Sequence, residues 1–375
     1  NLNKRRDQLN KLRPYIFMIA VLLLIIPILM IACSKTEEPT TPSTPSTPST
    51  PSEPAKPAPE PIELSMASMH PPTALAAQDL EAWADKINQD SNGLLTIRHY
   101  PASQLIPGPD MRPGIKDGVA DLGNSFIYKP EPGFEVGVNL TQLVLALNIA
   151  DANAIFDDMW KEFPDVMASQ WTDFKVLWMA ATLTTQVYTT EKPVRTMADM
   201  KGLELRVPNA LLADEVKNLG GTPISMATPD WVTSLDKGTT DGGTTITAFI
   251  YDFQVGPKFK YATRFPMGSS INFLIMNMDS WNNLSPEMQK VLDDSREWAK
   301  QQAIAMWDQT DKETAQYAID SGIEFIDLPD DEYAKWIAAV RPVYDQMAAD
   351  MDAAGYPGTE IVNFCLERSE YYRKQ

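Results

Sequence analysis

The spacing of hydrophobic and polar positions changes several times along the chain, and each change marks a different kind of segment. Residues 15–32 (YIFMIAVLLLIIPILMIA) form one unbroken apolar run. Residues 34–61 have no hydrophobic period at all. From Ile62 onward the pattern becomes that of a folded α/β protein. Ile62–Ala67 alternates as a short strand. Between Ala74 and Asn88, Leu75, Leu80, Trp83 and Ile87 fall on or near one helical face. Leu94–Tyr100 predicts a second strand, entered through the turn pair Asn92-Gly93. A Pro/Gly loop, a helix near Met111–Asp117 and a third short strand at Val119–Leu122 follow. This β-α-β-α-β alternation predicts a mostly parallel sheet with helices on its faces.

A second run of the same kind covers residues 176–250. Val176–Ala180 and Gln186–Thr190 predict strands, and Pro193-Val194 leads into a short helix. Leu203–Val207 predicts a strand, Leu211–Leu219 a helix and Pro223–Met226 another strand. Trp231–Leu235 is helical in spacing, and Gly242-Gly243 beyond it reads as a turn. Ile271–Met278 is an apolar strand that crosses back to the first half. Ser285, Pro286 and Glu287 then carry the marks of a helix start, a cap followed by proline at the first helical position. The helix they open is long enough to lean on more than one core, and the part after it, through Trp336, Val340 and Met347, is helical and covering. A chain of 375 residues exceeds what one core usually supports, so two domains are expected.

The first sixty residues read as an address and a tether. A basic stretch (Lys4, Arg5, Arg6, Lys11, Arg13) precedes the apolar run, which ends in Ala32-Cys33. This is the layout of an export signal. It resembles a bacterial lipoprotein signal, with Cys33 lipidated after cleavage and Met30 in place of the usual Leu. A permanent membrane anchor is the competing reading, since the run could just span a bilayer. Either places the body outside the cytoplasm. The Pro/Ser/Thr stretch 34–61, with its repeated TPS unit, favours extended polyproline II and predicts a stalk. At about 3.1 Å per residue it reaches on the order of 80 Å.

Charge and composition exclude several classes. The formal net charge is −18, and residues 1–33 contribute +4, leaving −22 on the rest. So acidic a body repels nucleic acid, and no nucleic-acid partner is expected. Two cysteines and two histidines are too few for a disulfide framework or a Cys-rich zinc site. No metal and no cofactor are expected. His70 and His99 lie in no Ser-centred elbow, and no Gly-rich phosphate loop is present, so the chain is not read as an enzyme.

Four stretches together resemble the extracytoplasmic solute-binding proteins of tripartite ATP-independent periplasmic (TRAP) transporters, of the dicarboxylate-binding (DctP) type. The first is Tyr100–Leu105 with Gly118–Leu122. The second is Lys192-Pro193-Val194 with Asp199–Pro208. The third is Leu219–Pro223 running to Leu235, Gly238, Asp241 and Gly242, and the fourth Met276–Trp281 before Leu284-Ser285-Pro286. The resemblance implies a type II periplasmic binding protein-like α/β fold: two domains with a hinge, and a long domain-spanning helix. It places domain I at 62–183 plus 272–312 and domain II at 184–271 plus 313–375. It implies a carboxylate ligand, and as partners a permease of one small and one large membrane subunit.

The resemblance also points to residues. Arg206, between Leu205 and Val207 and just before Pro208, matches the family's carboxylate-holding arginine. A guanidinium there can bind a carboxylate through two parallel charge-assisted bonds. Many relatives carry an asparagine shortly after the Asp-Gly pair, where this chain has Thr244 and Thr245. Trp231 precedes them on a short helix and is a candidate pocket wall. Asn124, Ser125 and Phe126, and Met69, His70 and Thr73, are expected where strands end and ligands collect in open sheets. Relatives that bind sialic acid carry a second arginine within the stretch matching Thr182–Gln186, and this chain has none. A single carboxylate on a moderately apolar body is therefore expected. Rival readings are a binding protein of an ATP-driven importer, a ligand sensor, and a surface lipoprotein without a transport role.

Overall fold

A computed structural model describes residues 60–375, apart from 129, 130 and 132. The export signal with Cys33, and the stalk up to residue 59, lie outside the described residues. Among the described residues no helix is long and apolar enough to cross a membrane.

The first stretch runs β1 (Ile62–Ser68), α1 (Leu75–Asp90), β2 (Leu95–Tyr100), α2 (Met111–Lys116) and β3 (Leu122–Phe126). Three helices follow, α3 (Glu135–Leu143), α4 (Ile149–Glu162) and α5 (Pro164–Ser169), and then the long strand β4 (Phe174–Thr184). The second stretch comprises β5 (Gln186–Thr189), β6 (Glu204–Val207), α6 (Ala210–Asn218), β7 (Thr222–Ser225), α7 (Thr228–Lys237), β8 (Gly242–Thr245), α8 (Thr247–Asp252) and β9 (Tyr261–Arg264). The chain continues with β10 (Ser269–Asn277), α9 (Met278–Asn282), α10 (Pro286–Asp320), β11 (Glu324–Asp327), α11 (Asp330–Ala353) and α12 (Gly358–Arg373).

Two mixed sheets result, in the orders β2-β1-β3-β10-β4 and β11-β9-β5-β8-β6-β7. In the first, β1 pairs in parallel with β2 and β3, as the alternation predicts. The other half is antiparallel, because β10 returns from the second stretch to lie between β3 and β4. The expected strand at Val119–Leu122 is displaced. Its first residues finish α2 instead: the Val119 amide donates to the Gly114 carbonyl, and the Val119 side chain is exposed. The strand proper starts at Leu122. Just before it, Asp121 accepts from the Ser65 amide at 2.8 Å and hydroxyl at 2.7 Å, and from Ser280 at 2.6 Å. One carboxylate thus ties β1 to the start of β3 and to α9.

Gly242 and Gly243 are not a turn. They begin β8, inside the second sheet between β5 and β6. A Cβ on Gly243 would stand 2.6 Å from a ring carbon of Trp231 and 2.8 Å from the Arg206 carbonyl. Glycine serves close approach here, the other meaning it has within a strand.

The helices cover both sheets. Leu80, Trp83 and Ile87 of α1 pack with Leu64, Met66, Leu177 and Trp178, each large side chain contributing about 1.5–3 kcal/mol of burial. The long helix α10 lies on the same face through Met288, Leu292, Ala299 and Ala303. Near its far end, Tyr317 and Ala318 join the core of the second sheet with Tyr188, Trp231 and Phe259. Of the last two helices, α11 packs on α6 and α12 on α4.

The α6–α11 contact buries an acid. Glu215 is completely enclosed, neither carboxyl oxygen has a hydrogen-bond partner, and the Tyr344 hydroxyl is likewise unpartnered. Burial pushes the Glu215 pKa up to about 8, the Tyr344 phenol opposing the shift without reaching hydrogen-bond geometry. A carboxyl raised in the folded state is fully tolerated below its ordinary value near 4.5, and its contribution is lost as pH rises towards about 8. Stability should therefore fall across that window by an amount on the order of a few kcal/mol. Urea unfolding at about pH 5 and about pH 8 should show Glu215→Gln losing much less than the native chain. Equal losses would mean that Glu215 does not carry the effect.

Candidate functional site

Two neighbouring crossings join the two sheets, and the long helix α10 makes a third connection, from β10 to β11. The chain leaves the first sheet at Thr184 for β5 and returns at Gly268 into β10. The crossings are pinned to each other: the Thr185 amide donates to the Gly268 carbonyl and the Met267 amide to the Thr185 carbonyl, each at 3.0 Å. Side chains fasten them further. Thr184 donates to the Ala146 carbonyl at 2.6 Å, Ser269 to Val144 at 3.1 Å, and Thr182 to Ser270 at 3.0 Å.

Beside these crossings lies a cavity of about 820 Å³. Its wall takes residues from just beyond β1 (Met69, His70), from the end of β3 and past it (Phe126, Ile127, Tyr128), and from just beyond β6 (Pro208, Asn209). These are carboxyl ends of strands within parallel pairs, where open α/β sheets collect ligands. The crossings supply Thr182, Thr185 and Gly268–Ser270, and α10 closes another side with Met306, Trp307, Thr310 and Thr314.

Of the residues singled out in the sequence, Met69, His70, Thr73 and Phe126 line this cavity. Met69 is fixed from behind, its sulfur accepting from the Tyr128 hydroxyl at 2.9 Å. Asn124 and Ser125 lie within β3 rather than after it, and neither is on the wall. Asn124 Nδ2 donates to the Phe273 carbonyl at 2.8 Å, a bond across to β10. Thr244 and Thr245 are buried in β8, opposite Val187 and Gln186, and are also off the wall. Trp231 is fully enclosed, stacked on Phe249 with ring centres 4.6 Å apart. It is core.

Arg206 stands at 5% exposure, its guanidinium carbon 5.0 Å from the Trp231 ring centre. Its Nε donates to the Met226 carbonyl at 3.0 Å. Burial lowers its pKa, although a guanidinium stays charged. It is not a wall residue, but the strand it occupies delivers Pro208 and Asn209 to the cavity two and three residues later.

The wall is weakly charged. Among the described residues it contains no Lys or Arg, and its carboxylates are Asp252 and Glu313. Burial raises the Asp252 pKa. His70 is neutral near pH 7, because burial lowers its pKa to about 4 against an opposing contact with Asn124. Three rings form a cluster: His70 and Phe126 are edge to face at 5.8 Å, and Trp307 lies 5.5 Å from Phe126 and 6.1 Å from His70. No group of three or more His, Cys, Asp or Glu able to hold a metal occurs among the described residues.

Sequence reasoning missed Trp307, Gln142 and the Gly268–Ser270 crossing. Trp307 had a signal. The face of α10 that carries Ala299 and Ala303 stays buried past Trp307 but turns to hydroxyls at Thr310 and Thr314.

Two mixed sheets joined by paired crossings, with a cavity beside the crossings, define a binding-protein architecture. The chain belongs to the bacterial extracellular solute-binding protein family 7, DctP, whose model matches residues 66–350. It is similar to a TRAP periplasmic solute-binding protein from Desulfovibrio salexigens, with 26% identity, a TM-score of 0.74, and 83% of this chain and 96% of the other covered. It also shares the fold of a TRAP solute-binding protein from an unidentified marine microbe, specific for aromatic acid ligands and bound to metahydroxyphenylacetate. That likeness has 23% identity, a TM-score of 0.70, and coverage of 83% and 99%. A solute-binding protein from Chromohalobacter salexigens is 23% identical over 298 residues, 76% of this chain and 84% of that one. The protein is thus a TRAP-type periplasmic solute-binding protein and not an enzyme.

Gly268 is the tightest point of the wall. Its φ is +85°, and an added Cβ would stand 2.4 Å from the Thr141 carbonyl oxygen. Gly268→Ala should cost about 2–4 kcal/mol from backbone strain and overpacking. Urea unfolding measures it, and an unchanged midpoint would show that residues 141–142 give way freely.

Proposed function

We propose that this chain captures a single organic carboxylate with an apolar, ring-containing body and delivers it to a TRAP permease of one small and one large membrane subunit. The observation that carries the reading is the wall itself: aromatic rings and hydroxyls, no Lys or Arg among its described residues, and Arg206 in β6, two residues before Pro208 of the wall. A carboxylate needs one strong cationic partner, and Arg206 is the candidate. A second carboxylate would have to be buried without a cation on the wall, beside Asp252 and Glu313, which is costly. The aromatic acid bound by the marine relative fits the same chemistry.

The mechanism is closure. At about 820 Å³ the cavity is near the upper end of small-molecule sites and larger than one single-ring acid fills. The ligand would draw together domain I (62–183 plus 272–312) and domain II (184–271 plus 313–375) about the paired crossings, bringing Arg206 onto the carboxylate. The permease would then recognise the closed form. Lipidation of Cys33 would hold the protein at the membrane, with the Pro/Ser/Thr stalk giving it reach.

Native mass spectrometry of the purified protein, with a thermal-shift screen of carboxylates, tests the ligand class. A ring-bearing monocarboxylate should stabilise the protein and reduce its radius of gyration in solution scattering. Arg206→Ala should weaken binding by about 2–5 kcal/mol. Unchanged affinity in that variant would remove Arg206 from the site, and silence across all carboxylates would remove the class.

A further inference from the structure

Two residues of the cavity wall carry buried ring nitrogens that lack partners. Trp307 is 8% exposed and His70 7%, both line the cavity, and both Trp307 Nε1 and His70 Nε2 are buried without a hydrogen bond. The rings belong to one cluster with Phe126. Buried polar groups are nearly always satisfied, and leaving one unpaired costs on the order of 1–3 kcal/mol. Two such nitrogens on neighbouring rings of one cavity mark a place where a ligand atom completes the structure.

Their chemistry limits that atom. An indole N–H only donates, so an ammonium group cannot be its partner. An anionic partner is disfavoured, since among the described residues no Lys or Arg lines the wall and Asp252 and Glu313 do. A neutral oxygen fits. A hydroxyl fits best, because it accepts from the indole N–H while donating to an imidazole nitrogen, and His70 is neutral at pH 7. Phe126, packed against both rings, offers a face or edge to an aromatic body.

We propose that Trp307, with His70 beside it, is the specificity-determining element of the cavity, reading a hydroxyl substituent on the ring of an aryl carboxylate. This rests on the carboxylate reading above and deepens it from a class of acid to a pattern of substitution. Arg206 holds the carboxylate at one end, and the Trp307–His70 pair reads the hydroxyl at the other. Selectivity follows from the unpaired groups: an analogue lacking the hydroxyl leaves the indole N–H buried and unsatisfied.

The test is isothermal titration calorimetry at pH 7 with benzoate, phenylacetate and their ring-hydroxylated analogues. The native protein, Trp307→Phe and His70→Phe are compared, with circular dichroism confirming that each variant is folded. The native protein should prefer at least one hydroxylated acid over its parent by about tenfold or more. Trp307→Phe should bring that preference close to unity, whatever its effect on the parent acid, and His70→Phe should reduce it. The readout is the ratio of affinities, which a purely structural role would not move. Equal binding of hydroxylated and parent acids by the native protein overturns the inference alone, as does a variant that weakens all acids by the same factor. No binding of any ring acid overturns both this inference and the ring-carboxylate reading on which it rests.

Discussion

The structure depends on one constraint, the pinning of two antiparallel crossings to each other. Thr185 donates to the Gly268 carbonyl and accepts from the Met267 amide, and the threonine and serine hydroxyls beside them satisfy carbonyls of the 144–146 segment. Because β4 leaves the first sheet and β10 re-enters it next door, the two sheets are forced to share an edge of backbone there. The carboxyl ends of β1, β3 and β6 are then brought to one place. Had β10 returned elsewhere in the first sheet, Phe126 and Asn209 would not share a wall. The glycine at 268 follows from this, since the crossing passes too close to the Thr141 carbonyl for any side chain.

Polar groups around the crossings fall into two populations. Those that hold the fold are saturated: Asp121 between β1 and α9, Asn272 between β3 and β10, and Asn153 against the backbone of Ala181 at the sheet edge. Those at the rings of the cavity wall are not. A second cavity, of about 540 Å³, lies among α11 and α12, but its charges answer one another, Arg373 bonding both Asp330 and Glu370. The first cavity combines unpartnered buried nitrogens with an aromatic surface in a space of ligand size.

Much of this was legible from sequence where one physical signal acted alone. The cap Ser285 accepts from the Met288 amide as its position before Pro286 suggests, and α10 runs on from it to Asp320. Met69, His70 and Phe126 could be placed because strand ends are predictable, and strand ends are where the wall begins. Legibility failed where a residue type has two meanings. Gly242-Gly243 signals a turn or a close approach, and only the packing of Trp231 against Gly243 decides between them. Trp231 itself could be wall or core, and its stack on Phe249 makes it core. Helices α3 and α5 and the strands β9 and β11 are short, while α4 carries a periodic apolar face behind its Asn148 cap that sequence reasoning missed.

Arg206 shows how burial and function are reconciled. A guanidinium at 5% exposure would be expensive if it were isolated, but this one lies over Trp231 and donates to the Met226 carbonyl. Cation–π contact and a carbonyl bond offset part of the lost hydration. Rotamer entropy is spent in the folded protein rather than on binding, which favours affinity for any group that reaches it. The same desolvation that lowers its pKa strengthens its attraction for an anion, because the local dielectric is low. On the proposed reading, a wall with no Lys or Arg among its described residues makes that cation decisive. It would admit one carboxylate and leave the rest of the ligand to be chosen by rings and hydroxyls.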